Sequence, residues 1–153
     1  MPGYTAEADP KITAKALGIE LDISRKKAVE VCRAIRGMMV PEAEKFLEDV
    51  IRLKRPVPYR KYKGSAGHRR GKGIMAGGYP VKVARAILKV LQNAKANAEY
   101  KGLDPDNMRI KVIAAHKGRP FKWYIPRAFG RSTPFFREKV NIEIILESVE
   151  EEA

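Results

Sequence analysis

The sequence predicts an α+β fold: a small three-stranded antiparallel sheet packed on three helices, with a long protruding β-hairpin. Three observations predict it. Three segments carry apolar residues at helical spacing, each bounded by Gly or Pro. Two runs near the C-terminal end carry the spacing of strands. Residues 116–139, between those runs, are rich in cations and rings and poor in aliphatic side chains. The 153 residues suit one domain spanning 1–153, and a hydrophobic content of 44% supports a packed core over wholesale disorder.

Residues 11–23 hold a weak apolar alternation, Ile19, Leu21 and Ile23, read as an edge strand running into a turn. Ser24 stands at an N-cap position, and Ala28, Val31, Cys32 and Ile35 repeat at helical spacing until Gly37 stops the helix. Pro41 suits the first turn of a second helix with a stripe of Ala43, Phe46, Leu47, Val50 and Ile51. Residues 55–79 then break every periodic pattern, mixing Pro, Gly, aromatic and cationic residues. This is a long basic loop with almost nothing to anchor it, expected to order on a partner. Pro80 opens the longest helix, lined by Ala84, Ile87, Leu88, Leu91, Ala94 and Ala98 and closed by Gly102. After a turn at residues 104–106, the run 108–115 and the alternating Val140, Ile142, Ile144 and Leu146 are read as two strands that pair antiparallel. The globular part thus comprises about 11–115 and 140–149.

If the strands continue outward across 116–139 to a tip near 128–131, each arm adds about a dozen residues, or about 40 Å at ~3.3 Å per residue. Such a ribbon is marginal alone in water. Either an external wall supports it, or its rings fold back on the domain as a small aromatic cluster. It carries Lys117, Arg119, Lys122, Arg127, Arg131 and Arg137 with no acid between the first and the last of them to pair them. It also carries Phe121, Trp123, Tyr124, Phe129, Phe135 and Phe136, half of the twelve aromatic residues of the chain.

Charge points to the partner. The formal net charge is +13, and it is unevenly spread. No acid lies between Asp49 and Glu99, where 13 Lys or Arg stand, and none lies from Asn107 to Arg137, which holds eight more. Glu143, Glu147, Glu150, Glu151 and Glu152 read as an acidic tail. A solubilising surface mixes both signs, whereas long acid-free tracts match phosphate. Cations with exposed rings are the combination expected for irregular RNA. On the loop, Arg60, Lys61, Lys63, His68, Arg69, Arg70 and Lys72 are the candidate RNA contacts.

Other chemistry finds little support. A single cysteine, Cys32, excludes an internal disulfide and Cys-pair zinc sites, and its place on an apolar stripe makes it a buried filler rather than a reactive thiol. His68 and His116 have no Cys or carboxylate at metal-ligand spacing, so no metal is expected. The glycines of residues 67–73 miss the phosphate-loop spacing and lack the Ser or Thr after Lys72, and the G-x-G-x-x-A match at Gly71, Gly73 and Ala76 follows no strand. No cofactor is expected, and no catalytic residue is assigned. No apolar run approaches ~18 residues and no signal segment opens the chain, so a membrane partner is not expected and the cytoplasm is. Two rivals stay open: a nonspecific DNA-packaging protein and an RNA-modifying enzyme.

Several motifs, in order, resemble one family: residues 24–28 (SRKKA), 35–37 (IRG), 93–98 (NAKANA), 125–131 (IPRAFGR) and 140–144 (VNIEI). Together they are similar to the universal large-subunit ribosomal protein family twenty-two, in its archaeal and eukaryotic branch. The resemblance runs from about Ile12 to Glu147. It implies a structural, non-enzymatic constituent of the large subunit that clamps ribosomal RNA during assembly, with a β-hairpin reaching the nascent-chain exit tunnel. It places Arg127, Ala128, Phe129, Gly130 and Arg131 at the tip, facing large-subunit ribosomal protein family four and the nascent polypeptide. Lys117, Arg119, Lys122, Trp123 and Arg137 line the ribbon against RNA. The loop 55–79 resembles an insertion that shorter bacterial members lack.

Overall fold

An apolar helix stripe is stable only against another apolar face, and here two stripes find theirs on a sheet and the third mainly on a neighbouring helix, all in one core. The computed structural model describes residues 3–149; Glu150, Glu151 and Glu152 of the expected acidic tail lie outside the described residues. In chain order the elements are β1 (Thr13–Leu21), α1 (Arg25–Ile35), α2 (Val40–Ile51), β2 (Val57–Pro58), β3 (Gly77–Gly78), α3 (Val81–Tyr100), β4 (Met108–Lys117), β5 (Tyr124–Pro126), β6 (Ser132–Pro134) and β7 (Val140–Ser148). The main sheet has the order β1-β7-β4, antiparallel throughout. Ile142, Ile144 and Leu146 of β7 enter the core beside Ala14 and Ala16 of β1 and Ile110 and Ile113 of β4. α3 lies on β1 and β7, α1 on β4, and α2 on α3.

The helices start and stop where the sequence predicts. Ser24 occupies the N-cap of α1 without a side-chain capping bond, and Pro41 sits in the first turn of α2. Gly37, at φ +81°, turns the chain so that its N–H donates to the Ile110 carbonyl at 3.0 Å, tying the end of α1 to β4. At the end of α3, the Leu103 N–H donates to the Ala98 carbonyl and the Gly102 N–H to the Glu99 carbonyl, with Gly102 at φ +76°. That pair of bonds is the glycine-dependent helix stop.

Two predictions need correction. The alternation Ile19, Leu21, Ile23 is not one face of a strand. A register shift falls between Gly18 and Leu21, with Glu20 in the left-handed region at φ +53°. The extra residue leaves Ile19 exposed while Leu21 and Ile23 reach the core. Gly18, by contrast, lies so close to α3 that a Cβ there would stand 2.7 Å from Val90 Cγ2.

The second correction concerns the acids. Glu143 and Glu147 are not tail residues; both sit in the central strand β7. Glu147 pairs with Lys111 and, at 3.3 Å, with Arg109. Glu143 is fully buried on the face turned away from the helices, where Thr5 of the N-terminal segment donates both its N–H, at 2.9 Å, and its hydroxyl to the carboxylate. Nε2 of His116 stands 3.1 Å from the same group. Burial alone would raise the Glu143 pKa, but the Thr5 donors and His116 outweigh it and hold the carboxyl below its ordinary value.

Cys32 lies in the core at 1% exposure, and burial pushes its thiol up to about 12. The folded chain is therefore expected to leave Cys32 unalkylated by iodoacetamide near neutral pH and to label fully once denatured, as read by intact mass. Rapid labelling of the folded chain would contradict this packing.

Candidate nucleic-acid interface

Two structures carry the candidate residues, and both are attached to the body by backbone hydrogen bonds. The first is the ribbon. β4 and β7 stay paired to Lys117 opposite Val140, the Gly118 N–H donates to the Lys139 carbonyl at 2.7 Å, and Phe121 and Arg137 exchange bonds at 2.8 and 2.9 Å. Phe135 donates to Trp123, β5 pairs with β6, and the Arg127 N–H closes the tip on the Arg131 carbonyl at 2.8 Å. The hairpin is therefore a direct outgrowth of the central sheet. Register shifts twice along it, once between Ile110 and Val112 and again between the Lys117–Val140 and Phe121–Arg137 pairs. Each shift adds one residue to the ascending arm, which bends and twists the ribbon.

Alternation then distributes the side chains. Phe121 and Trp123 share one face with Phe135 and Arg137, and these four line a shallow apolar hollow. The opposite face holds Lys122, Tyr124 and Phe136, the last two edge to face with centroids 6.3 Å apart. The rings are not folded back into a cluster on the body: Phe121 is 57% and Trp123 62% exposed. At the tip, Phe129 and Gly130 both take positive φ, +58° and +66°, and Phe129 is 93% exposed. A bulky side chain in that region is held at a cost of about 1–3 kcal/mol, a strain found more often at functional sites than in plain turns. Arg127, Ala128 and Arg131 surround it, and Arg127 Nε donates to the Thr133 hydroxyl at 3.0 Å.

The second structure is the loop 55–79, which differs from the prediction of a segment without internal order. Val57 is fully buried, β2 pairs with β3, and His68 bridges to Ala76. Its main anchor is Glu30 of α1, a carboxylate only 1% exposed. Oε2 accepts the Arg60 N–H at 3.0 Å, and Oε1 accepts those of Lys61 and Tyr62 at 2.7 Å each. Burial would raise the Glu30 pKa; the three N–H donors and the nearby Arg33 charge overcome that and lower it. Further along, Arg60 donates to the Gly73 carbonyl at 2.7 Å and Arg69 to that of Gly77 at 3.3 Å. Burial and the Glu30 charge together raise the Tyr59 pKa.

The tracts that are acid-free in sequence are only partly so in space. Arg119, expected to be unpaired, meets Glu20 at 3.8 Å. Lys82 pairs with Asp22 at 3.2 Å, and Lys95 with Glu44 at 3.5 Å. The folding of distant acids onto these cations was not visible from linear spacing. Among the described residues, Arg60, Lys61, Lys63, Arg69, Arg70 and Lys72 on the loop, and Lys117, Lys122, Arg127, Arg131 and Arg137 on the ribbon, have no carboxylate within ion-pair distance. Most of them are exposed, as is His68. Among the described residues no group of three or more His, Cys, Asp or Glu is arranged to hold a metal ion, and no helix is long and apolar enough to cross a membrane.

Sequence reasoning missed Glu30 and Thr5. Glu30 lies off the apolar stripe of α1, where a carboxylate reads as solvent-facing. The one available signal was the long acid-free segment that begins after α2, whose many backbone donors need acceptors from elsewhere.

Similarity to known proteins covers both structures. The family model for ribosomal protein L22p/L17e matches residues 16–147. The large ribosomal subunit protein uL22 of Methanocaldococcus jannaschii is 56% identical over 145 residues, covering 94% of this chain and 93% of that protein. Those of Ignicoccus hospitalis and Methanopyrus kandleri are 49% identical over 149 residues and 56% over 143, covering 95% and 92% of this chain and 94% and 90% of theirs. With the match running from the edge strand through the loop and ribbon to the central strand, the chain belongs to the ribosomal protein L22p/L17e family, on its archaeal side.

Proposed function

We propose that this chain is a structural, non-enzymatic constituent of the large ribosomal subunit that binds and clamps large-subunit ribosomal RNA during assembly, its β-hairpin lining the nascent-polypeptide exit tunnel. The observation that carries this reading is the ribbon: a projecting arm whose rings are exposed and whose cations mostly lack partners. Burying those rings in water-excluding RNA removes the cost of their exposure, and phosphate supplies the missing counter-charge. The same reading assigns RNA contact to Lys117, Arg119, Lys122, Trp123 and Arg137 on the ribbon and to Arg60, Lys61, Lys63, His68, Arg69, Arg70 and Lys72 on the loop. Arg127 through Arg131 then meet the tunnel lumen, the nascent chain and the protein of family four.

The tip gives the cleanest test, because its side chains support nothing in the core. Replacing Arg127 and Arg131 together by Ala is expected to leave the unfolding midpoint of the free chain within about 0.5 kcal/mol of the parent. The same change is expected to alter the passage of arrest-prone nascent chains through subunits that carry it. A variant that unfolds the free chain, or whose subunits are indistinguishable from the parent in such an assay, would remove the tip from the tunnel. Competition between duplex DNA and large-subunit RNA fragments separates this function from DNA packaging, with RNA expected to win.

A further inference from the structure

Where the loop folds back on α1 it leaves a cavity of about 480 Å³, large enough for a small organic ligand. One wall is the first turn of α1. The other is the loop, which contributes three half-buried tyrosines, Tyr59, Tyr62 and Tyr79. Cations stand at these rings: Lys26 Nζ lies 5.8 Å from the Tyr62 centroid, and Arg69 Cζ lies 5.4 Å from that of Tyr79. Gly67, in the lining, has open space beside it: a Cβ there would meet nothing within 4 Å, so a side chain can be added without a clash. The one carboxylate in the lining is Glu30, and its oxygens are already engaged by three backbone N–H groups. Aromatic faces, flanking cations and an occupied acid favour a ligand that is flat, aromatic and anionic.

We propose that this cavity holds one unstacked nucleotide of the bound RNA, its base against the tyrosines and its phosphate against Lys26 and Arg69. The inference rests on the ribosomal RNA reading above and goes beyond it by assigning a base-recognition site to the body of the protein, away from the ribbon. The ribbon offers open faces to many bases. This cavity, enclosed on two sides, takes one.

The experiment titrates the full-length chain, with ring-labelled tyrosine, with the four nucleoside 5′-monophosphates, with ribose 5-phosphate and with inorganic phosphate, following the ring signals by NMR. At least one nucleotide is expected to shift Tyr62 and Tyr79 saturably and to bind about tenfold or more tighter than ribose 5-phosphate, the gain that base stacking supplies. Gly67→Leu, which adds a bulky side chain to the cavity's lining, is expected to weaken the response with the unfolding midpoint retained; Tyr62→Phe retains it and Tyr62→Ala loses it. Equal binding of ribose 5-phosphate and nucleotide, or rings that no nucleotide moves, overturns the site. Binding of the parent chain to large-subunit RNA is measured alongside. Silent rings with RNA binding intact remove the cavity's role alone, whereas loss of both removes the ribosomal RNA reading as well.

Discussion

Affinity for large-subunit RNA is expected to fall by three to five orders of magnitude between about 50 and about 200 mM monovalent salt. The expectation follows from the candidate contacts that have no acidic partner among the described residues, six on the loop and five on the ribbon. If roughly six to ten of them meet phosphate, each displaces condensed counterions and adds about 0.7 to 0.9 to the logarithmic salt slope. Cations already held by protein carboxylates contribute less, so Arg109 and Lys111, both on Glu147, are not counted. Filter binding across that salt range reads the slope directly. Removing one free cation, Lys122→Ala for instance, is expected to reduce it by about one, whereas Lys111→Ala changes it little. A slope near zero would mean that the charge is not spent on phosphate.

The largest effect of a single substitution is expected at Glu30. Its carboxylate is buried and accepts three N–H donors from the loop, so Glu30→Ala orphans all three at once. Bonds to a charged acceptor contribute about 1.5–3 kcal/mol each, and part of the loss is recovered when the freed loop meets water, leaving about 3 kcal/mol. Glu30→Gln keeps the shape but offers one carbonyl oxygen and turns an amide donor toward the remaining N–H groups, so an intermediate loss is expected. Amide exchange at Arg60, Lys61 and Tyr62 locates the effect, since it rises there before the sheet is disturbed. The pH dependence has a definite sign. The folded pKa of Glu30 is depressed, so its contribution is whole above the ordinary glutamate value of about 4.3 and is lost as pH falls through the lower folded value. The loop is therefore expected to loosen in acid ahead of, or together with, the core.

How much of this was legible in the sequence differs by the length of the pattern. Stripes such as Ala43, Phe46, Leu47 and Val50 span several helical turns and are punctuated by Pro41, Gly37 and Gly102, so helices were readable nearly to the residue. The alternation of β7 was equally plain, and the ribbon followed from the cations and rings that replace aliphatic residues beyond Ala115. Two-residue strands have no period to detect, and β2 and β3 were invisible for that reason. A bulge inverts faces without changing composition, which is why Ile19 was assigned to the same side as Leu21. Contacts across long separations left no local trace: Thr5 with Glu143, Glu30 with residues 60–62, and Glu20 with Arg119. The candidate residues themselves were chosen by charge and ring content, and the structure adds which of them carry an acid at their side.

Under the proposed function, the hydrogen-bonded ribbon with its exposed rings is an arm that takes its final rigidity from RNA. Hydrogen exchange at the Phe121, Phe135 and Arg137 amides, compared between the free chain and the same chain within the large subunit, measures this most directly. Rapid exchange in the free chain, with strong protection inside the subunit and a slowly exchanging β7 in both, is the expected result. Equal protection of those amides in the free chain would show a ribbon that stands by itself, and the need for an RNA wall would disappear.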